Sequence, residues 1–186
     1  PDQIDRNRQV GPDANHSQKG QPRQLMVPGG YWEYNDVRVN LVALCLTRLF
    51  ETSLSDVLRK NIMDPIDASH SWEWHGYRNS YIEIKGRLVQ SVSGGAHWGG
   101  GLWISSLDHA RMGLLISRHG RWGDVEILPE HCLGPLFAPC PLNLNYGFLW
   151  WLNSNRSLYA GAGESSVFAY GAGANYVWID PDYDLV

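Results

Sequence analysis

Gly94-Gly95-Ala96-His97-Trp98-Gly99-Gly100-Gly101-Leu102-Trp103-Ile104-Ser105-Ser106-Leu107-Asp108-His109-Ala110-Arg111 is the stretch on which the reading of this chain turns. Its first half is glycine-rich, bracketing His97-Trp98 with residues that impose no backbone preference of their own. Its second half is a helix start. Ser106 caps a helix predicted over Leu107 to His119, with Leu107, Ala110, Leu114 and Leu115 on one face and Gly120 closing it. A loop of permissive backbone feeding directly into an amphipathic helix is the most structured local signal in the chain, and the other elements are read outward from it.

Upstream, Tyr81-Ile82-Glu83-Ile84 and Arg87-Leu88-Val89-Gln90 flank Lys85-Gly86 and predict a hairpin. Earlier still, Asp36 caps a helix running to about Phe50, with Val37, Leu41, Leu44 and Leu46 among its apolar residues. Ser53 caps a short second helix (Leu54, Val57, Leu58), Asp56 completes a capping-box pattern, and Asp64-Pro65 ends that segment. Residues 1–30 are polar and aperiodic, and are expected to form an extended loop. Downstream, Tyr146 to Leu152, Val167 to Tyr170 and Tyr176 to Asp180 are aromatic or β-branched runs expected as strands. Helices first and strands last predict an α+β chain: a mostly helical lobe over 31–145 and part of an antiparallel sheet over 146–186. After the polar turn Asp180 to Asp184, Leu185-Val186 opens a new apolar run, so the expectation is a partial domain, incomplete at both ends.

Composition narrows the function. The 186 residues hold 15 Lys plus Arg against 19 Asp plus Glu, a net charge of -4, so no basic excess exists to displace counterions from nucleic acid. With 44% hydrophobic, 12% aromatic and 18% charged residues, the chain is too apolar for a disordered segment. No run of about 18 apolar residues occurs, so no transmembrane helix is expected. Cys45, Cys132 and Cys140 share no metal-type spacing and the seven histidines form no ligand pattern, so neither a metal nor another cofactor is implied. Cys132 and Cys140 could pair, which the sequence leaves open.

Tyr34 stands immediately before a helix N-terminus, where the positive end of the helix dipole favours a phenolate and suits the residue to general-base work. The alternative is a tyrosine packed at the helix entry. His97 either lines a cleft and donates to a substrate carbonyl or hydrogen-bonds a backbone turn, and His75, among Trp72, Trp74 and Tyr77, either walls a substrate pocket or packs in a surface loop.

Four stretches, in order, resemble the class C β-lactamase and penicillin-binding-protein-like serine hydrolases. Trp32 to Ala43 with Thr47-Arg48-Leu49-Phe50-Glu51 is similar to the family's Tyr-x-Asn region, and Arg59 to Ile66 to its Arg-x-x-Ile-x-x-Pro-Leu helix exit. Gly94 to Arg111 resembles its glycine-rich entry into a long helix, and Gly171 to Val186 the strand that bears its Lys/His-Thr-Gly triad. The resemblance implies a β-lactamase/transpeptidase-like fold. It puts Tyr34 on the proton-relay tyrosine and Asp36 on the Asn of Tyr-x-Asn, an acceptor where the family has both donor and acceptor. Ala169-Tyr170-Gly171 falls on the triad with only the Gly retained, so Tyr170, Gly171 and Gly173 are substrate-side positions and the usual carboxylate-anchoring cation is missing.

The family nucleophile is the Ser of Ser-x-x-Lys, whose two side chains meet one helical turn apart. Three residues before Lys19, Lys60 and Lys85 stand His16, Val57 and Ile82, so this chain contains no such pair. The expectation is a fragment of a hydrolase that cleaves a small-molecule ester or amide, with the nucleophile upstream and the tryptophans (Trp32, Trp72, Trp74, Trp98, Trp103, Trp150, Trp151) building an acyl pocket. The rival expectation is a non-catalytic, aromatic-rich carbohydrate- or peptide-binding module.

Overall fold

The computed structural model describes residues 27–32, 34, 36–94, 101–171 and 174–186. The chain divides into two units, one formed by residues up to Leu58 with Trp72–Trp103, the other by Arg59–Ser71 with Ile104–Val186. Most of the predicted 1–30 loop, and His97 and Gly173, lie outside the described residues.

In the first unit, helix α1 (Asp36–Phe50) and helix α2 (Leu54–Leu58) precede two ribbons. Strands β2 (Gly76–Ile84) and β3 (Arg87–Val92) form the antiparallel hairpin, and β1 (Glu73–Trp74) pairs with β4 (Leu102–Trp103). The hairpin turn is at Lys85-Gly86, as read from the sequence, and both residues take positive φ, the geometry that matches strand twist. Its first strand starts at Gly76 rather than Tyr81, with a register irregularity between them. Ser53 Oγ accepts from Asp56 N–H at 3.1 Å, so the expected cap of α2 is present.

Ala43, Leu54 and Val92 form this unit's core cluster, with Trp74 packed against them. The inward side of α1 is made of small residues, Ala43 and Thr47, because the helix lies close to the end of β3: a Cβ on Gly94 would stand 2.7 Å from Val39. The larger Leu41, Val42, Leu46, Leu49 and Phe50 are exposed.

The second unit begins with a π-helical turn, Arg59–Met63, that sends Met63 and Ile66 into full burial. Helix α3 (Ser106–Ser117) is followed by the β5–β6 ribbon (Arg121–Trp122, Val125–Glu126) and by α4 (Glu130–Leu136). A four-stranded antiparallel sheet then takes the order β10-β9-β8-β7, from β7 (Tyr146–Gly147), β8 (Trp150–Leu152), β9 (Val167–Gly171) and β10 (Asn175–Ile179). The predicted Tyr146 to Leu152 strand is therefore a hairpin, turned at Phe148-Leu149 with φ of 43° and 73°. Two bulky residues in the left-handed region carry no turn signal in sequence, which is why the run reads as one strand. Helix α4 is an addition to the sequence reading: Pro135 within it reads as a breaker.

Helix α3 corrects the expected face. Leu107 and Leu114 are exposed, and Ala110 with them, while Asp108, Gly113 and Leu115 are buried. Of the four expected face residues only Leu115 is buried, and Asp108 and Gly113 complete the docked face in place of the others. A Cβ on Gly113 would stand 2.5 Å from Val186 and 3.1 Å from Val177, so glycine lets the helix lie against the sheet. Leu152, Val167, Val177 and Ile179 are the buried sheet residues of the core, with Ile116, Phe137, Trp150 and Ala169 packed on them.

The N-cap of α3 is Ser105, not Ser106, and it is part of a buried polar knot. Ser105 Oγ accepts from Asp108 N–H at 3.1 Å and donates to Asp108 Oδ2 at 2.9 Å. Asp108 also accepts from Ser69 N–H (3.0 Å), Ser69 Oγ (2.6 Å) and Arg111 Nη1 (2.9 Å). The two bonds from Ser69, then those from Ser105 and Arg111, outweigh the cost of burial and lower its pKa from 3.8 to about 2.

Because the folded pKa lies below the unfolded value, this carboxylate stabilises the fold above about pH 4 and the contribution is lost as pH falls towards 2. Asp108→Asn should lower the unfolding free energy at neutral pH by about 2–4 kcal/mol in urea titrations, because the amide cannot satisfy all four donors. Between about pH 4 and 2 the variant should lose less stability than the parent chain; parallel acid profiles would contradict this.

Candidate functional site

Tyr34 is half-buried and sits two residues before α1 begins; Asp36 is the first residue of that helix, not its cap. The start of α1 is coupled to the glycine-rich stretch by a residue that sequence reading did not single out. Asn40 Oδ1 accepts from Gly94 N–H at 2.6 Å, one turn into the helix. The absence of a Cβ at Gly94 permits that approach. The signal available in sequence was an Asn inside an apolar helix, where a polar side chain needs a partner. On the other side of the stretch, Gly101 (φ +68°) accepts from His75 N–H at 2.9 Å, and His75 accepts from Ser93 N–H at 2.9 Å. Both ends of the glycine-rich stretch are thus anchored in the first unit.

His75 lies on the exposed β1–β4 side of this unit. Its Nε2 is 2.9 Å from Glu73 Oε2, and its ring meets Trp103 edge-on at 5.3 Å. Trp103 is 70% exposed, so this side of the His75 surroundings is a surface ribbon.

Tyr170 and Gly171 lie at the end of β9 in the second unit, opposite Tyr176 and Asn175 of β10. The Tyr170 and Tyr176 rings stack at 4.4 Å with 15° between planes, and both remain exposed. Tyr159 joins them from the loop before β9. It packs on Trp178 (4.8 Å) and Phe168 (5.2 Å), which meet each other at 4.4 Å. A hydrogen bond to Tyr159, then partial burial and a hydrogen bond to Tyr170, push the Tyr176 phenol well above the ordinary tyrosine range.

Asn153 sets the position of Tyr159 and is the second residue that the sequence reading passed over. Fully buried, it accepts from Leu158 and Tyr159 N–H (3.2 and 2.9 Å) and donates to the Tyr159 and Gly163 carbonyls (3.0 and 2.9 Å). All the hydrogen-bonding capacity of one carboxamide is spent on closing the 153–163 loop. The three cysteines are free, so Cys132 and Cys140 are not bridged. Among the described residues no group of His, Cys, Asp and Glu could hold a metal ion, and no helix is long and apolar enough to cross a membrane.

Neither a protein-family model nor a curated protein matches the chain. Solved structures do. A protein from Bacteroides dorei described as a β-lactamase aligns over 89% of this chain at 18% identity and a TM-score of 0.62. A protein from Bacillus anthracis described as a 6-aminohexanoate-dimer hydrolase aligns over 87% of it, at 18% identity and a TM-score of 0.57. This chain has a β-lactamase/transpeptidase-like fold. It spans 51% of the first of those proteins and 38% of the second. The α+β architecture expected from the sequence is the one found.

The tyrosine cluster has a spectroscopic consequence. Tyr159→Phe should lower the ionisation pH of Tyr176 towards the ordinary value near 10.0, read from the ¹³Cζ resonances of labelled tyrosine. An unchanged Tyr176 titration would mean that the hydroxyl contact to Tyr159 does not form.

Proposed function

We propose that this chain is part of a serine hydrolase that cleaves an ester or a simple amide through an acyl-enzyme. The observation that carries the reading is the β-lactamase-like fold over most of the chain. The position of Tyr34 just ahead of α1 and of Gly171 at the end of β9 agrees with the motif order. The serine and lysine of a Ser-x-x-Lys pair come from a part of the protein outside these 186 residues. The serine oxygen attacks the substrate carbonyl carbon, and its proton passes to the lysine and Tyr34. That proton then goes to the departing alcohol or amine as the acyl bond breaks. Water repeats the attack with the same relay and frees the acid.

Backbone N–H groups about Gly171 and Gly173 stabilise the oxyanion in this reading, and His97 adds a donor. Asp36, an acceptor when ionised, and Tyr170, a neutral phenol in the place of a cation, both disfavour anionic β-lactams. They point to neutral esters or amides. The exposed Tyr170–Tyr176 stack favours the second reading, a non-catalytic module that binds carbohydrate or peptide on an aromatic face.

The chain alone should not be labelled by a fluorophosphonate, and stoichiometric labelling would sink the assignment of the nucleophile elsewhere. In the full-length protein, Tyr34→Phe should lower kcat for a p-nitrophenyl ester by about 10²-fold or more with little change in KM. If the full-length protein has no esterase or amidase activity but loses oligosaccharide or peptide binding on Tyr170→Ala, the second reading replaces the first.

A further inference from the structure

The end of α3 and the β5–β6 ribbon line an open cavity of about 390 Å³, bordered by Leu114, Arg118, Arg121, Trp122 and Gly123. It lies wholly within the second unit, and none of its residues belongs to the hydrolase reading. Two guanidinium groups line it, and the carboxylates of Asp184 and Asp67 stand beside Arg118 and Trp122. Leu114 and the Trp122 indole supply an apolar wall, and Trp122 Nε1 donates to Asp67 Oδ2 at 3.3 Å, which restrains the ring. Arg121 Nη2 donates to the Asp124 carbonyl at 2.7 Å, which uses one of the five donors of its guanidinium. Arg118 Nη2 is 3.9 Å from Asp184 Oδ1, the outer limit of an ion pair, with side chains 60% and 76% exposed.

A cation at the C-terminus of α3 is favoured by the helix dipole, and that alone accounts for Arg118. It does not account for a second arginine on the same cavity, or for a half-buried indole and an exposed leucine beside them. Guanidinium groups bind carboxylates through paired N–H donors, and an apolar wall adjoining them suits a hydrocarbon tail. A phosphate would find charge here but nothing for the apolar wall to cover.

We propose that this cavity binds a small monocarboxylate with an apolar tail, its carboxylate between Arg118 and Arg121 and its tail against Leu114 and Trp122. The proposal is independent of the acyl-transfer reading, since it uses neither Tyr34 nor β9.

Octanoate titrated into the chain by calorimetry tests it, with octanol as the uncharged counterpart and inorganic phosphate as the tail-less anion. Octanoate should saturate one site, and octanol and phosphate should each bind at least about tenfold more weakly. Arg118→Gln/Arg121→Gln should raise the octanoate Kd by about tenfold or more, while Asp184→Asn, which releases Arg118 from its competing carboxylate, should lower it about two- to threefold. Thermal melts of these exposed-site variants establish that the fold is retained. Absence of saturation, an octanoate Kd unmoved by the double substitution, equal binding of octanol, or phosphate binding as tight as octanoate would each overturn the proposal.

Discussion

The Asp108 carboxylate, with its side chain almost entirely out of water, accepts from Ser69 twice and from Ser105 and Arg111 once each. These bonds join the segment after the π-helical turn to the first turn of α3. A buried charge is tolerable only if its donors are already in place, so the knot constrains more than it stabilises. It sets the rotation of α3 about its axis, and that rotation puts Gly113 and Leu115 towards the sheet and leaves Leu107 and Leu114 outside. The cavity at Arg118 and Arg121 follows from the same rotation, because Leu114 is one of its walls.

Two other polar side chains perform the same kind of work in the second unit. Asn153 closes the loop that presents Tyr159, and Asp180, also buried, accepts from Gly163 and Asp182 N–H at 2.9 and 3.1 Å. Gly163 therefore lies between two buried acceptors, its N–H taken by Asp180 and its carbonyl by Asn153. The aromatic cluster on β9 and β10 is held from the backbone of this loop as well as by ring packing. The Tyr159 backbone within it is fixed by Asn153, a side chain that is fully buried.

Much of the fold was legible. Capping and spacing located α1, α2 and α3 to within a residue or two, and Lys85-Gly86 located the turn of the β2–β3 hairpin, because these signals act over four or five residues of backbone. The misreadings came from longer range. The apolar count in α3 selected the leucines, whereas the buried face is defined by a carboxylate that takes two of its bonds from Ser69, 39 residues away, and by a glycine that meets the sheet. The Phe148-Leu149 turn was invisible because nothing local favours positive φ at either residue. Around the candidate site, the helix that follows Tyr34 and the strand that starts at Val167 were legible as elements. Asn40 and Asn153 were not, since an asparagine's role depends on which backbone it meets.

The amino-acid sequence by itself determined the α+β order of elements, the absence of a Ser-x-x-Lys pair and the motif order that resembles the β-lactamase-like hydrolases, because each is a property of neighbouring residues. Only the tertiary structure decided which face of α3 is buried, which loop Asn153 closes and which rings meet Tyr159. Each of those depends on groups apart in sequence finding one another, and no local pattern of residues encodes that meeting.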